Sequence, residues 1–293
     1  MSMCIINRSF GTHSGSFHAD DVTACALLLY FEFIDKDKII RTRDPNKLAT
    51  CDFVCDVGLE YDTSRRRFDH HQADYDGDLS SAGMIVKYLV DNKIISDGLY
   101  IYLNSILIYG IDQIDNGRWE PKFGYCSFSQ IISYFIPVSY QSTQDQYDDA
   151  FIEAVEFTYN ILTKMILKFN YVQQCKSIVK DLMDEMNECL IFDKPMPWIE
   201  AFFELGGESH SAEFVIMPSD KHWKLRGIPP STDKRMEVRR PLPNEWAGLS
   251  NEDLQRVSGI AGSIFCHKRG FVSIWKTRED ALKALKMILA KKK

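Results

Sequence analysis

In the first 60 residues short β-type runs alternate with helical patterns, and that alternation constrains the fold more than any other feature of the chain. Residues 4–6, 39–42 and 53–57 read as strands, and residues 20–33 as a helix between the first two. Strands separated by helices form βαβ units, which build a mainly parallel sheet with its site at the strand ends. Ser80-Ser81 caps a helix running to about residue 90, and a second runs from about 99 toward 117. From about 145 to 188 apolar residues recur every three to four positions, which predicts one or two long connecting helices. After Pro195 and Pro197 the texture changes. Residues 199–203, 212–217, 222–228 and 271–275 read as short strands, while Ser250 and Thr277, each with an Asp three positions on, open two helices. The expected architecture is α/β: an N-terminal domain over 1–190 that includes the connecting helices, and a smaller α+β C-terminal domain over 191–293.

No apolar run approaches the roughly 20 residues that cross a bilayer, so a membrane protein is not expected. The N-terminus carries neither a signal-peptide core nor an Arg-rich transit segment, and the expected location is cytoplasmic or nuclear. The eight cysteines then read as reduced thiols; Cys51 and Cys55 share a face of an extended segment, but no second Cys or His pair follows at zinc-site distance. Charge is divided unevenly. Residues 1–193 hold 17 Lys/Arg and 29 Asp/Glu, whereas residues 194–293 hold 18 and 12. An acidic part suits divalent cations and a basic part suits a phosphate-bearing polymer, although a dipolar surface without a ligand has the same sum. The closing Lys291-Lys292-Lys293 reads as a solvated tail.

Four His/Asp clusters fall in the acidic part, each at a loop or strand end. The first is His13 to Asp21, with His13, His18, Asp20 and Asp21; one carboxylate there is explained by helix capping, but two histidines in the same loop are not. The second is Asp56, a charge closing an apolar strand, which needs a cation or reaches water. The third is Asp69-His70-His71 after three arginines, where extended geometry would send Asp69 and His71 to the side opposite His70. The fourth is Asp112 and Asp115, three apart on one helical face at the unfavourable C-terminal end of the helix dipole. Imidazoles and carboxylates without thiolates favour Mn²⁺, with Mg²⁺ or Zn²⁺ as lesser candidates, and the supply suffices for two ions. A carboxylate bridging two ions about 4 Å apart suits phosphoester hydrolysis.

The succession Gly11-Thr12-His13, Phe17-His18-Ala19-Asp20-Asp21, Asp56-Val57-Gly58, Arg67-Phe68-Asp69-His70-His71-Gln72, Ser80-Ser81-Ala82-Gly83 and Ile114-Asp115-Asn116-Gly117 resembles the Myg family of exonucleases, a branch of the DHH phosphoesterase superfamily. The likeness continues through Arg240-Pro241-Leu242-Pro243, Trp246-Ala247-Gly248-Leu249 and Ser258-Gly259-Ile260 to His267, and so covers nearly the whole chain. It implies a DHH-type N-terminal domain and Mn²⁺-dependent cleavage of nucleic acid, chiefly single-stranded RNA from its 3′ end. By motif, His18 and Asp20 would bind one metal, Asp56 would bridge, and His70 with Asp115 would complete the second site. Asp69, His70 and His71 would be the catalytic set, and His13, Asp21 and Asp112 are further metal candidates. His18 stands where the superfamily pattern usually has Asp. The Gly-rich loop of other members is here Gly259-Ile260-Ala261-Gly262, and Arg239, Arg240, His267 and Lys268 are the candidate phosphate contacts, each also readable as plain surface. Trp223, Trp246 and Trp275 read as core before base-stacking groups.

The leading reading is thus a two-metal phosphodiester hydrolase, a 3′-to-5′ exoribonuclease, with self-association open. The same chemistry on an oligonucleotide, cyclic dinucleotide or polyphosphate is the runner-up. A catalytically silent RNA-binding protein is the third reading, opposed by the retained cluster of like charges.

Overall fold

A computed structural model describes residues 5–120, 122–139 and 141–290, so residue 4 of the first expected strand and the expected lysine tail lie outside the described residues. The chain divides into two compact units, Met1–Phe169 and Asn170–Lys293.

The first unit carries strands β1 (Ile6–Thr12), β2 (Ile39–Arg41), β3 (Cys51–Cys55), β4 (Tyr61–Asp62) and β5 (Arg67–Phe68) in the order β2-β1-β3-β5-β4. The first four in that order are parallel, as the βαβ alternation predicts, and β4 pairs antiparallel with β5. Around them lie helices α1 (Ala19–Tyr30), α2 (Pro45–Leu48), α3 (Ser81–Asp91), α4 (Asp97–Leu103), α5 (Tyr109–Asp115) and α6 (Phe128–Ser133), with a π-helical segment, Asn104–Ile108, joining α4 to α5. Phe10, Phe53 and Phe68 from neighbouring strands are fully buried in one core with Val22 and Leu27 of α1 and Ile85 and Leu89 of α3. Each such ring contributes about 2 kcal/mol relative to exposure. Register fixes the site: Gly11 pairs with Val54, Val54 with Arg67 and Cys55 with Phe68. Three parallel strands therefore end almost level, and the next residues, His13, Asp56 and Asp69, emerge at one edge of the sheet.

The second unit holds the end of α7 (Gln144–Asp184) and then β6 (Cys189–Ile191), α8 (Ile199–Glu204), β7 (Phe214–Ser219), β8 (His222–Gly227), α9 (Asn251–Ser258), β9 (Ser263–Cys266), β10 (Val272–Trp275) and α10 (Arg278–Ala290). Its sheet has the order β6-β7-β8-β10-β9, parallel only between β6 and β7. Alternate residues of β7 enter different cores: Phe214 and Ile216 join Trp246, Trp275 and α10, while Val215 and Met217 join Phe192, Trp198 and α8. Both faces are covered. Trp246 and Trp275 are buried, their ring centroids 5.6 Å apart.

Two expectations need correction. Residues 199–203 form helix α8 and not a strand: Trp198 and Phe202, four apart, pack with centroids 5.9 Å apart, and Glu200 and Glu204 face away. Ile-Glu-Ala-Phe-Phe is too short a segment for its period to separate the two. The units also part inside α7, after Phe169, where the expectation had placed the whole helical stretch in the first domain. Beyond that point Val172, Val179 and Met183 pack into the core of the second unit.

Candidate metal centre

Asp56 is the hub. Directly after β3 its backbone turns into the left-handed region, at φ 58°, which an Asp tolerates better than a branched residue would. The turn aims a 4% exposed carboxylate across the sheet edge. Oδ2 lies 3.1 Å from His13 Nε2, and Oδ1 lies 3.4 Å from both His70 Nε2 and His71 Nδ1.

Helix α1 begins beside it. His18 is the N-cap residue, and Asp21 Oδ1 accepts from the His18 backbone N–H at 2.9 Å, a capping-box contact. Asp21 is thereby held by the helix end, and its other oxygen approaches Thr12 Oγ1 at 3.5 Å. Asp20 differs. It is fully buried, and neither of its carboxylate oxygens has a hydrogen-bond partner. A buried charge without a partner costs several kcal/mol unless it is neutralised or coordinates a cation.

The third approach comes from β5 and the helices after it. The strand stops at Phe68, and the expected opposition of side chains does not hold beyond it: His70 and His71 both reach Asp56. Asp69, also buried, accepts from the Leu59 N–H at 2.6 Å with one oxygen and lies 2.8 Å from His71 Nδ1 with the other. His71, with 56% of its side chain exposed, is thus held through Nδ1 and leaves Nε2 toward solvent. His70 Nε2 sits 3.0 Å from Asp115 Oδ2 without hydrogen-bond alignment, and its Nδ1 lies 3.4 Å from Asn116 Oδ1. Asp112, by contrast, is occupied. Its Oδ1 accepts from the Ser80 N–H at 2.9 Å and the Ser80 hydroxyl at 2.6 Å, tying α5 to the start of α3. A Cβ on Gly83 would come within 2.5 Å of Asp112 Oδ2, which is why that motif needs a glycine. Ser81 Oγ donates to the Phe68 carbonyl at 2.8 Å and fixes the same helix to the end of β5.

The electrostatics follow from crowding carboxylates out of water. Burial, then the charges of Asp56, Asp115 and Asp21, hold Asp20 well above the usual carboxylate range. Burial and Asp56 lift Asp21 to about 7. Burial lifts Asp112 to about 6 against the pull of Ser80. Asp56 goes the other way: despite its burial, His13 and His70 hold it below the usual range. Burial disfavours the His70 cation, but Asp115 and Asp56 overcome this and raise it to about 10.

Four overlapping groups have ligand atoms within 4.8 Å of one another: His13, His18 and Asp56; Asp56, His70 and His71; His18, Asp20 and Asp115; and Asp20, Asp21 and Asp56. Asp56 belongs to three of them. Among the orphaned buried atoms, Asp20 Oδ1 and Oδ2, Asp56 Oδ1 and His70 Nε2 are the oxygen and imidazole donors of these groups, so the residues present fit hard or borderline divalent cations.

The family model MYG1_exonuc, described as an uncharacterised protein family (UPF0160), matches residues 9–289. A MYG1 protein of Chlamydia trachomatis serovar D is 51% identical over 284 residues, covering 97% of both chains. This chain belongs to the MYG1 exonuclease family. The human MYG1 exonuclease is 30% identical over 328 residues, covering 96% of this chain and 86% of its own. The crystal structure of RecJ with Mn²⁺ from Thermus thermophilus aligns at a TM-score of 0.28 and 10% identity, covering 97% of this chain and 52% of its own, too weak a likeness to bear on fold or ion here.

In this MYG1-family chain His13, His18, Asp20, Asp21, Asp56, Asp69, His70, His71 and Asp115 meet at one sheet edge, while Asp112 stands behind them on Ser80. The candidate phosphate contacts lie in the second unit. Arg239 donates from Nη1 to the carbonyls of His210 and Ala212, from Nη2 to Gly207 and from Nε to Pro229, and lies over the Phe202 ring. Arg240 donates to the Ile288 carbonyl and to Glu213. His267 packs on Phe271 at 4.3 Å between ring centroids, and Lys268 is exposed. Asn116 stands behind His70, and its signal in the sequence is an Asn closing a helix beside an acidic pair. Among the described residues no helix is long and apolar enough to cross a membrane.

Proposed function

We propose that this chain is a metal-dependent exonuclease, a phosphodiester hydrolase that removes nucleotides from the 3′ end of single-stranded RNA with two ions, preferably Mn²⁺. The observation that carries this reading is the doubly orphaned, fully buried carboxylate of Asp20 beside Asp56 and Asp115. The family relationship and the activity in the human relative's name support it.

His18, Asp20 and Asp115 would hold one ion, His70 and His71 the other, and Asp56 both, with His13 orienting Asp56. When bound, such a pair supplies a nucleophilic water and neutralises charge on the phosphoryl oxygens. The protein contributes the rest. Asp69 fixes the tautomer of His71, as carboxylates behind imidazoles do, whether His71 binds or passes a proton through its exposed Nε2 to the leaving oxygen. Ser80, Ser81 and Asp112 lock α3 and α5 so that Asp115 stays in place. The test is a 5′-labelled single-stranded RNA incubated with Mn²⁺ or with EDTA, beside an Asp69→Ala/His70→Ala variant. The expected result is a Mn²⁺-dependent ladder shortening stepwise from the 3′ end, absent in the variant. No cleavage in a sample that binds Mn²⁺ would reject the polymer and leave small phosphorylated substrates.

A further inference from the structure

Within the first unit a cavity of about 600 Å³ opens beside the metal centre, in the size range of small-molecule sites. It is lined by His18 and Asp115 of the metal centre, by Trp119 and Tyr125, and by Ser129 and Gln130. The aromatic residues are delivered there by the chain itself. Asn116 closes α5, Gly117 turns the backbone at φ 65°, and Arg118 pairs with Asp78, which brings Trp119 out against the cavity. Ser127 then caps α6, accepting from the Gln130 N–H at 3.1 Å, and the first turn of that helix supplies Ser129 and Gln130 to the lining. Trp119 is half-buried and Tyr125 is 74% exposed, so neither ring is consumed by the core.

We propose that this cavity holds the base of the terminal nucleotide whose phosphate lies at the metal centre, stacked on Trp119 and Tyr125. The proposal rests on the nuclease reading above. Because two residues of the metal cluster line it, a group seated in the cavity lies within one nucleotide of the reacting phosphate. Aromatic rings accept any base, since every base has a π-face. The cavity therefore gives an exonuclease grip on each successive end without sequence preference.

The test compares adenosine 5′-monophosphate with ribose 5-phosphate, by calorimetry in saturating Mn²⁺, on the wild-type protein and on Trp119→Ala and Trp119→Phe. The two ligands share the phosphate and differ by the base. Wild type is expected to bind the nucleotide between about 5-fold and about 150-fold more tightly, the range for a base–aromatic stack. Trp119→Ala loses that advantage and keeps its affinity for ribose 5-phosphate and for Mn²⁺, and Trp119→Phe retains most of it. Equal binding of the two ligands to wild type overturns the proposal, as does an advantage that survives in Trp119→Ala. Failure of both ligands to bind a Mn²⁺-loaded protein overturns the phosphate reading of the metal centre, and this pocket with it.

Discussion

Asp20 in the first unit and Arg239 in the second are opposite solutions to the burial of charge. Arg239 directs its guanidinium at four backbone carbonyls and an aromatic face, so the chain itself satisfies it. Asp20 is wholly buried, has no partner on either oxygen and lies among three other carboxylates. A buried charge must be paired, neutralised or bound to a cation, and the chain itself pairs Arg239 but not Asp20. Net charge alone ranks the basic second unit as the ligand-binding one, yet Arg239 and Arg240 are engaged by backbone carbonyls and Glu213.

The sharpest way to break this contrast is at the hub. Asp56→Asn should lower the phosphodiesterase rate about 10³-fold or more, the scale on which removal of a preorganised electrostatic group is felt, while leaving a folded protein by circular dichroism. Full activity in that variant would end the bridging model. The corresponding change in the second unit should act on stability alone. Arg239→Ala leaves several carbonyls unpaired and should cost about 2–3 kcal/mol in urea unfolding, with Mn²⁺ affinity unchanged; a stable variant with weakened RNA cleavage would restore Arg239 to the substrate.

Asp69→Asn tests the supporting layer. It keeps the shape but not the charge behind His71, and the expected fall in kcat is about 10-fold to 100-fold. An unaffected kcat would remove His71 from the chemistry. The smallest effect is in pH. In EDTA, Asp21 at about 7 and Asp112 at about 6 hold protons that the unfolded chain releases near pH 4, so stability falls as pH rises between about 4 and 7. His70, at about 10, continues the fall between about 6.5 and 10, because its folded-state proton is bound more tightly than the unfolded one. Mn²⁺ must displace that proton, so the rise in Tm on adding Mn²⁺ should grow from about pH 5 to about pH 8. A metal-induced shift that is flat over that range would contradict imidazole ligation.

Sequence alone reached the parallel character of the first sheet, because buried parallel strands separated by amphipathic helices have few other ways to pair. The nine residues now found at one sheet edge were also visible, since chemistry-bearing residues stood at the strand ends and helix starts that such a sheet aligns. Several things were decided only in three dimensions. Adjacent residues of a strand point to opposite sides, yet His70 and His71, beyond the end of β5, both approach Asp56. Asp112 and Asp115 share a helical face by spacing, yet Ser80 engages one and leaves the other to His70, a choice made by the helix packed alongside. Likewise the segment 199–203 is compatible with either period, and the neighbouring ring of Trp198 settled it as helix. Local pattern fixes which residues must leave water, but partnership depends on what long-range packing brings within about 3 Å, and that distance is not encoded at any one position.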